Sequence, residues 1–337
     1  MSTLLEQEIA SQGSVLRDRA AEGARAATRA AQALAGVDHV VIAARGSSDN
    51  AARYTQYLLG DELGLEVDLA APWLYRDRDR APRLTGAGAI GISQSGRSPD
   101  IVAVLAAARA QGRPTVAVTN EPGSPLAAEA DAVIPLLAGA ERSVAATKTF
   151  LASLHAAVQL ADALAPAPTR ACWLAELPDL VDAMTSQQLG QRAHFDALLR
   201  APLITVTGRG LAFATACESA LKLRELSGAP AEAFSPPDLM HGPIAALRPS
   251  GASWLVCPGR RELADVAGRT GISVVVTAQE HASDEATVSI ALPAGLPPWV
   301  SAFLAVIPAQ AAGLRLAEVS GVDVDRPWGL QKVTLTS

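Results

Sequence analysis

Short apolar runs that stop at glycine or serine recur along the first half of the chain, at residues 40–44, 89–93, 115–119 and 132–136. Stretches of helical periodicity lie between them, at 48–63 and 99–111. Runs this short and continuously apolar predict strands buried on both faces. Their alternation with helices predicts a parallel sheet covered on each side. Residues 164–180 turn proline-rich, which predicts a connection between domains. The same order then resumes: a strand at 203–207, a loop Gly208-Arg209-Gly210, a helix at 213–227, and strands at 254–257, 273–277 and 288–292. Arg45-Gly46 after the first strand corresponds to Arg209-Gly210 after its counterpart, so the chain reads as two copies of one α/β unit. The expected fold class is α/β, with two doubly wound parallel-sheet lobes (αβα sandwiches) in tandem. The expected boundaries are an N-terminal helical segment 1–36, a first lobe 37–165, a linker helix region 166–190, a second lobe 191–325 and a C-terminal tail 326–337.

Composition narrows this picture. A chain of 337 residues, 49% hydrophobic and 18% charged, has ample material for two cores. The net charge of −6 with no basic run argues against a nucleic-acid partner. Cys172, Cys217 and Cys257 are odd in number and widely spaced, which argues against a disulfide framework or zinc site and for a reducing cytoplasm. Glu6, Glu8, Arg17, Asp18 and Arg19 precede any long apolar stretch, unlike a signal peptide. Residues 286–314 carry no charge and are long enough to span a bilayer. Pro293, Pro297, Pro298 and Pro308 interrupt them, so a buried core or dimer-interface helix over about 299–319 is expected instead, and no membrane partner.

Two motifs carry chemistry. Ser93-Gln94-Ser95-Gly96-Arg97-Ser98-Pro99-Asp100 follows a strand and opens a helix, with Ser98 as N-cap and Pro99 at the first helical position. Its hydroxyls and the Gln94 amide would supply donors for an oxyanion, and Ser47 and Ser48 converge from the loop after the neighbouring strand. An ordinary serine-rich turn is the plain alternative; two such loops at successive strand ends favour an anion site. The second copy has Cys257-Pro-Gly-Arg260 at this point and keeps no such cradle. Glu218, Lys222 and Glu225 stand at i, i+4 and i+7, on one helical face. A solvated stripe of ion pairs is the plain reading, but the helix is otherwise small and apolar, and buried carboxylates beside a lysine become acid–base candidates. His241, in a His-Gly-Pro turn sixteen residues beyond Glu225, is a further candidate.

At these residues the chain resembles the sugar-isomerase (SIS) domain proteins, in particular the isomerase half of glucosamine-6-phosphate synthase and the stand-alone type II glucosamine-6-phosphate deaminases. The similarity runs from Glu8-Ile9 through Arg45-Gly-Ser-Ser48, Ser93-Gln-Ser-Gly96, Val144-Ala-Ala-Thr-Lys148, Ala220-Leu-Lys-Leu-Arg-Glu225 and His241-Gly-Pro243 to Gly321-Val-Asp-Val-Asp-Arg-Pro327 and Lys332. The resemblance implies two SIS-type lobes, and since only the first copy keeps the cradle, one sugar phosphate per chain is expected. Ser48, Ser93, Gln94, Ser95 and Ser98 would hold the phosphate, and Val144 and Ala145 would line the pocket through their backbone. It implies Glu225 as the base that moves a proton between C1 and C2, with Lys222 orienting hydroxyls or tuning that base. His241 would open the sugar ring, reaching into the partner subunit's site in a homodimer, and Lys332 would close over the site with the tail. Such aldose–ketose chemistry needs no metal or organic cofactor.

Without a glutaminase domain or N-terminal cysteine nucleophile, the degradative direction is expected: glucosamine 6-phosphate to fructose 6-phosphate plus ammonia. Met240 and Asp238 stand where many relatives carry a basic residue and a glutamate. They leave open a lyase or dehydratase on N-acetylglucosamine 6-phosphate, or a deglycase on a fructose-amine phosphate. A non-catalytic sugar-phosphate sensor ranks behind these, because Glu225, His241 and Lys332 are all present.

Overall fold

The computed structural model describes residues 2–76, 81–277, 286–327, 329, 331 and 332, so most of the tail predicted over 326–337 lies outside the described residues. In chain order the elements begin with α1 (Leu4–Ala10), α2 (Gln12–Ala33), β1 (His39–Ala43), α3 (Ser47–Leu63), β2 (Glu66–Leu69) and α4 (Trp73–Arg76). There follow β3 (Ala87–Ile92), α5 (Pro99–Ala110), β4 (Thr115–Thr119), α6 (Pro125–Ala128), β5 (Ala132–Pro135), α7 (Lys148–Leu164) and α8 (Pro168–Gly190). The second half holds β6 (Ile204–Gly208), α9 (Leu211–Ser227), β7 (Ala231–Phe234), α10 (Pro236–Met240), β8 (Ala252–Val256) and α11 (Arg260–Glu262). It ends with β9 (Ile272–Thr277), β10 (Val288–Ala291), α12 (Pro298–Leu304) and α13 (Ile307–Ser320).

The chain forms two compact lobes, neither continuous in sequence. One comprises Ser11–Glu141, Lys148–Pro178 and Gln331–Ser337; the other comprises Met1–Ala10, Arg142–Thr147 and Asp179–Leu330. The division falls inside α8, next to its internal Pro178. Each lobe holds one five-stranded sheet, in the order β2-β1-β3-β4-β5 in the first and β7-β6-β8-β9-β10 in the second. All pairings are parallel. The two orders are the same once renumbered, which is the duplication read from the sequence. Every residue of β3, β4, β6 and β8 is buried, as strands covered on both faces must be. The duplication extends to backbone detail. Gly46 (φ 57°, ψ −135°) and Gly210 (φ 59°, ψ −128°) cap α3 and α9 in a conformation essentially reserved for glycine. In each sheet the chain reverses direction of growth between its first and third strands, and ligands of such sheets gather at that switch point, beyond the carboxyl ends of the strands.

The helix expected over 299–319 is two helices. Pro308 lacks an N–H and crowds the carbonyl four residues back, so α12 stops at Leu304 and α13 starts afresh at Ile307. Among the described residues, Pro298–Ser320 is long and apolar enough to cross a membrane, and 94% of its most apolar window is buried inside the folded chain.

Candidate active site

In the first lobe the serine loop leaves the end of β3 and is stitched to its surroundings by backbone. Ser93 N donates to Val118 O (3.0 Å), Asn120 N donates to Gln94 O (3.0 Å), and Leu126 N donates to Gly96 O (3.0 Å). Gly96 turns the loop at φ 61°; a Cβ there would lie 2.0 Å from Ser124 Oγ, so only glycine fits. Gly96 N donates to Ser93 Oγ (3.2 Å) and Arg97 N to Ser95 Oγ (3.3 Å), which fixes both hydroxyls inside the turn. Ser98 is the N-cap of α5 and Pro99 follows it, as expected, yet the Ser98 hydroxyl makes no capping bond. Ser47 and Ser48 open α3 at the end of β1, the strand beside β3. These loops and two helix starts present hydroxyls and backbone donors at neighbouring strand ends, an arrangement able to hold a phosphate.

A bridge that sequence reasoning missed joins the two loops. Arg45 Nε, after β1, donates to Asp100 Oδ2 in the first turn of α5 at 2.7 Å, and the Asp100 carboxylate is buried. Its counterpart in the second lobe is Arg209 Nε to Glu262 Oε1 at 3.0 Å. The repeated Arg-Gly was the available signal; the carboxylates lie 55 and 53 positions away and gave none. Burial raises the nearby Asp49 carboxyl above its usual range, with Arg53 and Arg45 opposing. Where the first lobe has Ser93, the second has Cys257, whose N donates to Val276 O (2.8 Å) as Ser93 N does to Val118 O. Burial pushes that thiol up to about 12, which leaves it inert.

In the second lobe Glu218, Lys222 and Glu225 do share one face of α9. The Lys222 side chain is wholly buried; its ammonium lies 3.4 Å from the equally buried Glu218 and hydrogen-bonds Glu225, whose side chain is 25% exposed. The solvated-stripe reading fails on that burial. His241 is exposed, at the end of α10, which Ser235 caps by accepting from Asp238 N (3.3 Å). Val144 and Ala145 belong to this lobe, and the buried Glu8 of α1 accepts from Arg142 N, Ser143 N and Ser143 Oγ beside them. Lys332 belongs to the first lobe, where its ammonium sits 2.8 Å from Glu141. Glu141 is buried and also accepts from Thr149 N (3.1 Å) and Thr149 Oγ1 (2.6 Å). A cavity of about 620 Å³ in the first lobe lies at the opposite, starting end of β1, lined by Leu34, Val37, Val40, Leu63, Leu65 and Leu164, without titratable groups. Among the described residues no cluster of three or more His, Cys, Asp or Glu side chains could hold a metal.

Comparison with known proteins agrees with this layout. The SIS domain family matches residues 33–163. The glutamine–fructose-6-phosphate aminotransferase (isomerizing) of Bradyrhizobium diazoefficiens is 36% identical over 291 residues, covering 80% of this chain and 47% of that protein. The chain thus spans about half the length of such relatives. A protein described as a phosphosugar isomerase from Silicibacter pomeroyi superimposes with a TM-score of 0.85 at 28% identity, over 96% of this chain and 100% of that one. Glucosamine-6-phosphate deaminase from Thermotoga maritima shares the fold, with a TM-score of 0.77 at 21% identity over 99% and 100% of the two chains. The chain therefore carries a SIS domain over residues 33–163, within two tandem SIS-like lobes, and resembles the isomerase domain of the aminotransferases.

Proposed function

We propose that this protein is a cofactor-independent phosphosugar isomerase acting on an amino-sugar 6-phosphate, converting glucosamine 6-phosphate and water to fructose 6-phosphate and ammonia. Ser47, Ser48, Ser93, Gln94, Ser95 and Ser98 grip the phosphate, which orients the sugar from a point remote from the reacting carbons. His241 moves the proton that opens the ring. Glu225 takes the proton from C2 of the open aldehyde and returns it to C1, leaving an imine at C2 that water hydrolyses with loss of ammonia. Lys222 holds the Glu225 carboxylate in place, with Glu218 as its second counter-ion. Val144 and Ala145 line the sugar through their backbone, and Lys332 closes over it. The protein works in the cytoplasm as a homodimer, and the exposure of His241 is in keeping with its donation to the partner subunit's site.

The observation that carries this reading is the Glu218–Lys222–Glu225 group, with Glu218 and Lys222 buried and Glu225 partly exposed. Burying the Lys222 ammonium and the Glu218 carboxylate beside the half-buried Glu225 is costly, and a helix needing only to pack would be served better by apolar residues. The likeness to the Silicibacter protein over its whole length and the hydroxyl-rich loops support a phosphosugar as the substrate. The test is to incubate the protein with glucosamine, galactosamine, N-acetylated and fructosyl-amine phosphates and follow ammonia and sugar products together. Ammonia with fructose 6-phosphate is expected; a dehydrated product without ammonia would replace this reading with a lyase. Glu225→Gln should lower turnover by about 10²–10⁴-fold. A near-wild-type rate in that variant removes Glu225 from its role.

A further inference from the structure

Glu8 lies far in sequence from every residue given a role above, yet it is buried and ligated from one segment. Its Oε1 accepts from Arg142 N, and its Oε2 accepts from Ser143 N (3.2 Å) and Ser143 Oγ. A carboxylate that receives two consecutive amides and a hydroxyl fixes the direction of the peptide units that follow. Those units are Val144 and Ala145. Glu8 is itself held firmly: Leu5 and Ile9 on the same helix are fully buried in a cluster with Leu226, Leu314 and Ala317. The start of α1 is capped from the far end of the lobe, with Asp325 accepting from Leu4 N and Leu5 N, both at 2.9 Å. Nothing in this arrangement leaves the Glu8 carboxylate free to follow the segment; the segment follows it.

We propose that Glu8 is a positioning residue for the sugar, setting the backbone of Val144 and Ala145 from a strut, α1, anchored at Asp325; this rests on the reading above that those two residues line the substrate. Glu8→Gln preserves shape and packing but turns one acceptor into a donor that faces an amide. In the full-length protein the variant should melt close to wild type and bind inorganic phosphate with unchanged affinity, because the cradle belongs to the other lobe. Its Arg142 and Ser143 amides should exchange hydrogen at least about tenfold faster, and kcat/KM for the sugar phosphate should fall about tenfold or more. Ser143→Ala removes one arm only and should act in the same direction with a smaller effect; it serves as the deciding variant if Glu8→Gln does not fold. The two should be strongly non-additive in the double variant. Unchanged amide exchange, or wild-type kcat/KM in an active enzyme, overturns the role of Glu8. A wild-type protein that turns over no sugar phosphate overturns the proposed function instead, and fructose 6-phosphate affinity measured against phosphate affinity then decides Glu8: loss of the first alone supports it, and parallel values refute it.

Discussion

Replacing Lys222 by methionine tests whether the ionic group on α9 is a coupled unit. The lysine side chain is wholly buried and Glu218 is 1% exposed, so the variant leaves a carboxylate in the interior without the ammonium 3.4 Å away. At that distance the lost attraction is on the order of 5 kcal/mol with an effective dielectric of about 20. Removing one partner of a buried pair costs about 3–5 kcal/mol, in agreement. For a lobe of this size each kcal/mol moves the melting temperature by about 2–4 °C, so Lys222→Met should melt about 6–20 °C lower by calorimetry. The companion is Lys222→Met with Glu218→Gln, which removes both charges and should regain most of the loss. Turnover should stay lost in the double variant, which separates the stability of the helix from its chemistry. A single variant within 2 °C of wild type (about 1 kcal/mol), or a double variant as unstable as the two singles added together, would refute the coupling.

Two more outcomes follow from the first lobe. Gly96→Ala forces a positive φ on alanine and drives its Cβ into Ser124, so the serine loop must shift; phosphate affinity by titration calorimetry should drop at least about tenfold, and unchanged affinity would show that the loop is no cradle. Burial and then the charge of Arg19 hold His155 well below its ordinary range, so the folded protein keeps the ring neutral while the unfolded chain protonates it near pH 6.5. Stability should therefore fall as pH drops below about 6.5, by up to about 1.4 kcal/mol per pH unit from this residue. Denaturant titrations of His155→Gln should show a flatter profile between about pH 5 and 6.5; identical slopes would dismiss the histidine as the cause.

The central strands were legible because burial on both faces leaves an unbroken apolar run. β2 and β7 were not, since each is an edge strand of four residues with only one fully buried position, reading Glu-Val-Asp-Leu and Ala-Glu-Ala-Phe. The face formed by Glu218, Lys222 and Glu225 was legible from helical spacing, and its burial only from the small residues around it. The long-range buried contacts were hidden for a common reason. Glu8 meets Ser143 across 135 positions, Arg19 meets His155 across 136 and Lys332 meets Glu141 across 191, and no local pattern encodes such pairs.

The cap on α1 has a bearing on how the chain comes off the ribosome. Leu4 and Leu5 find their acceptor in Asp325, some 320 positions later. At about 5–20 residues per second the first helix waits roughly 15–60 s before its partner exists. Until α13 emerges, Leu5 and Ile9 lack the Leu314 and Ala317 side of the cluster that buries them, and before Leu226 is made they lack most of it. The residues of α1 are thus among the last to settle, and Leu5 and Ile9 stay incompletely covered through most of the synthesis that follows them.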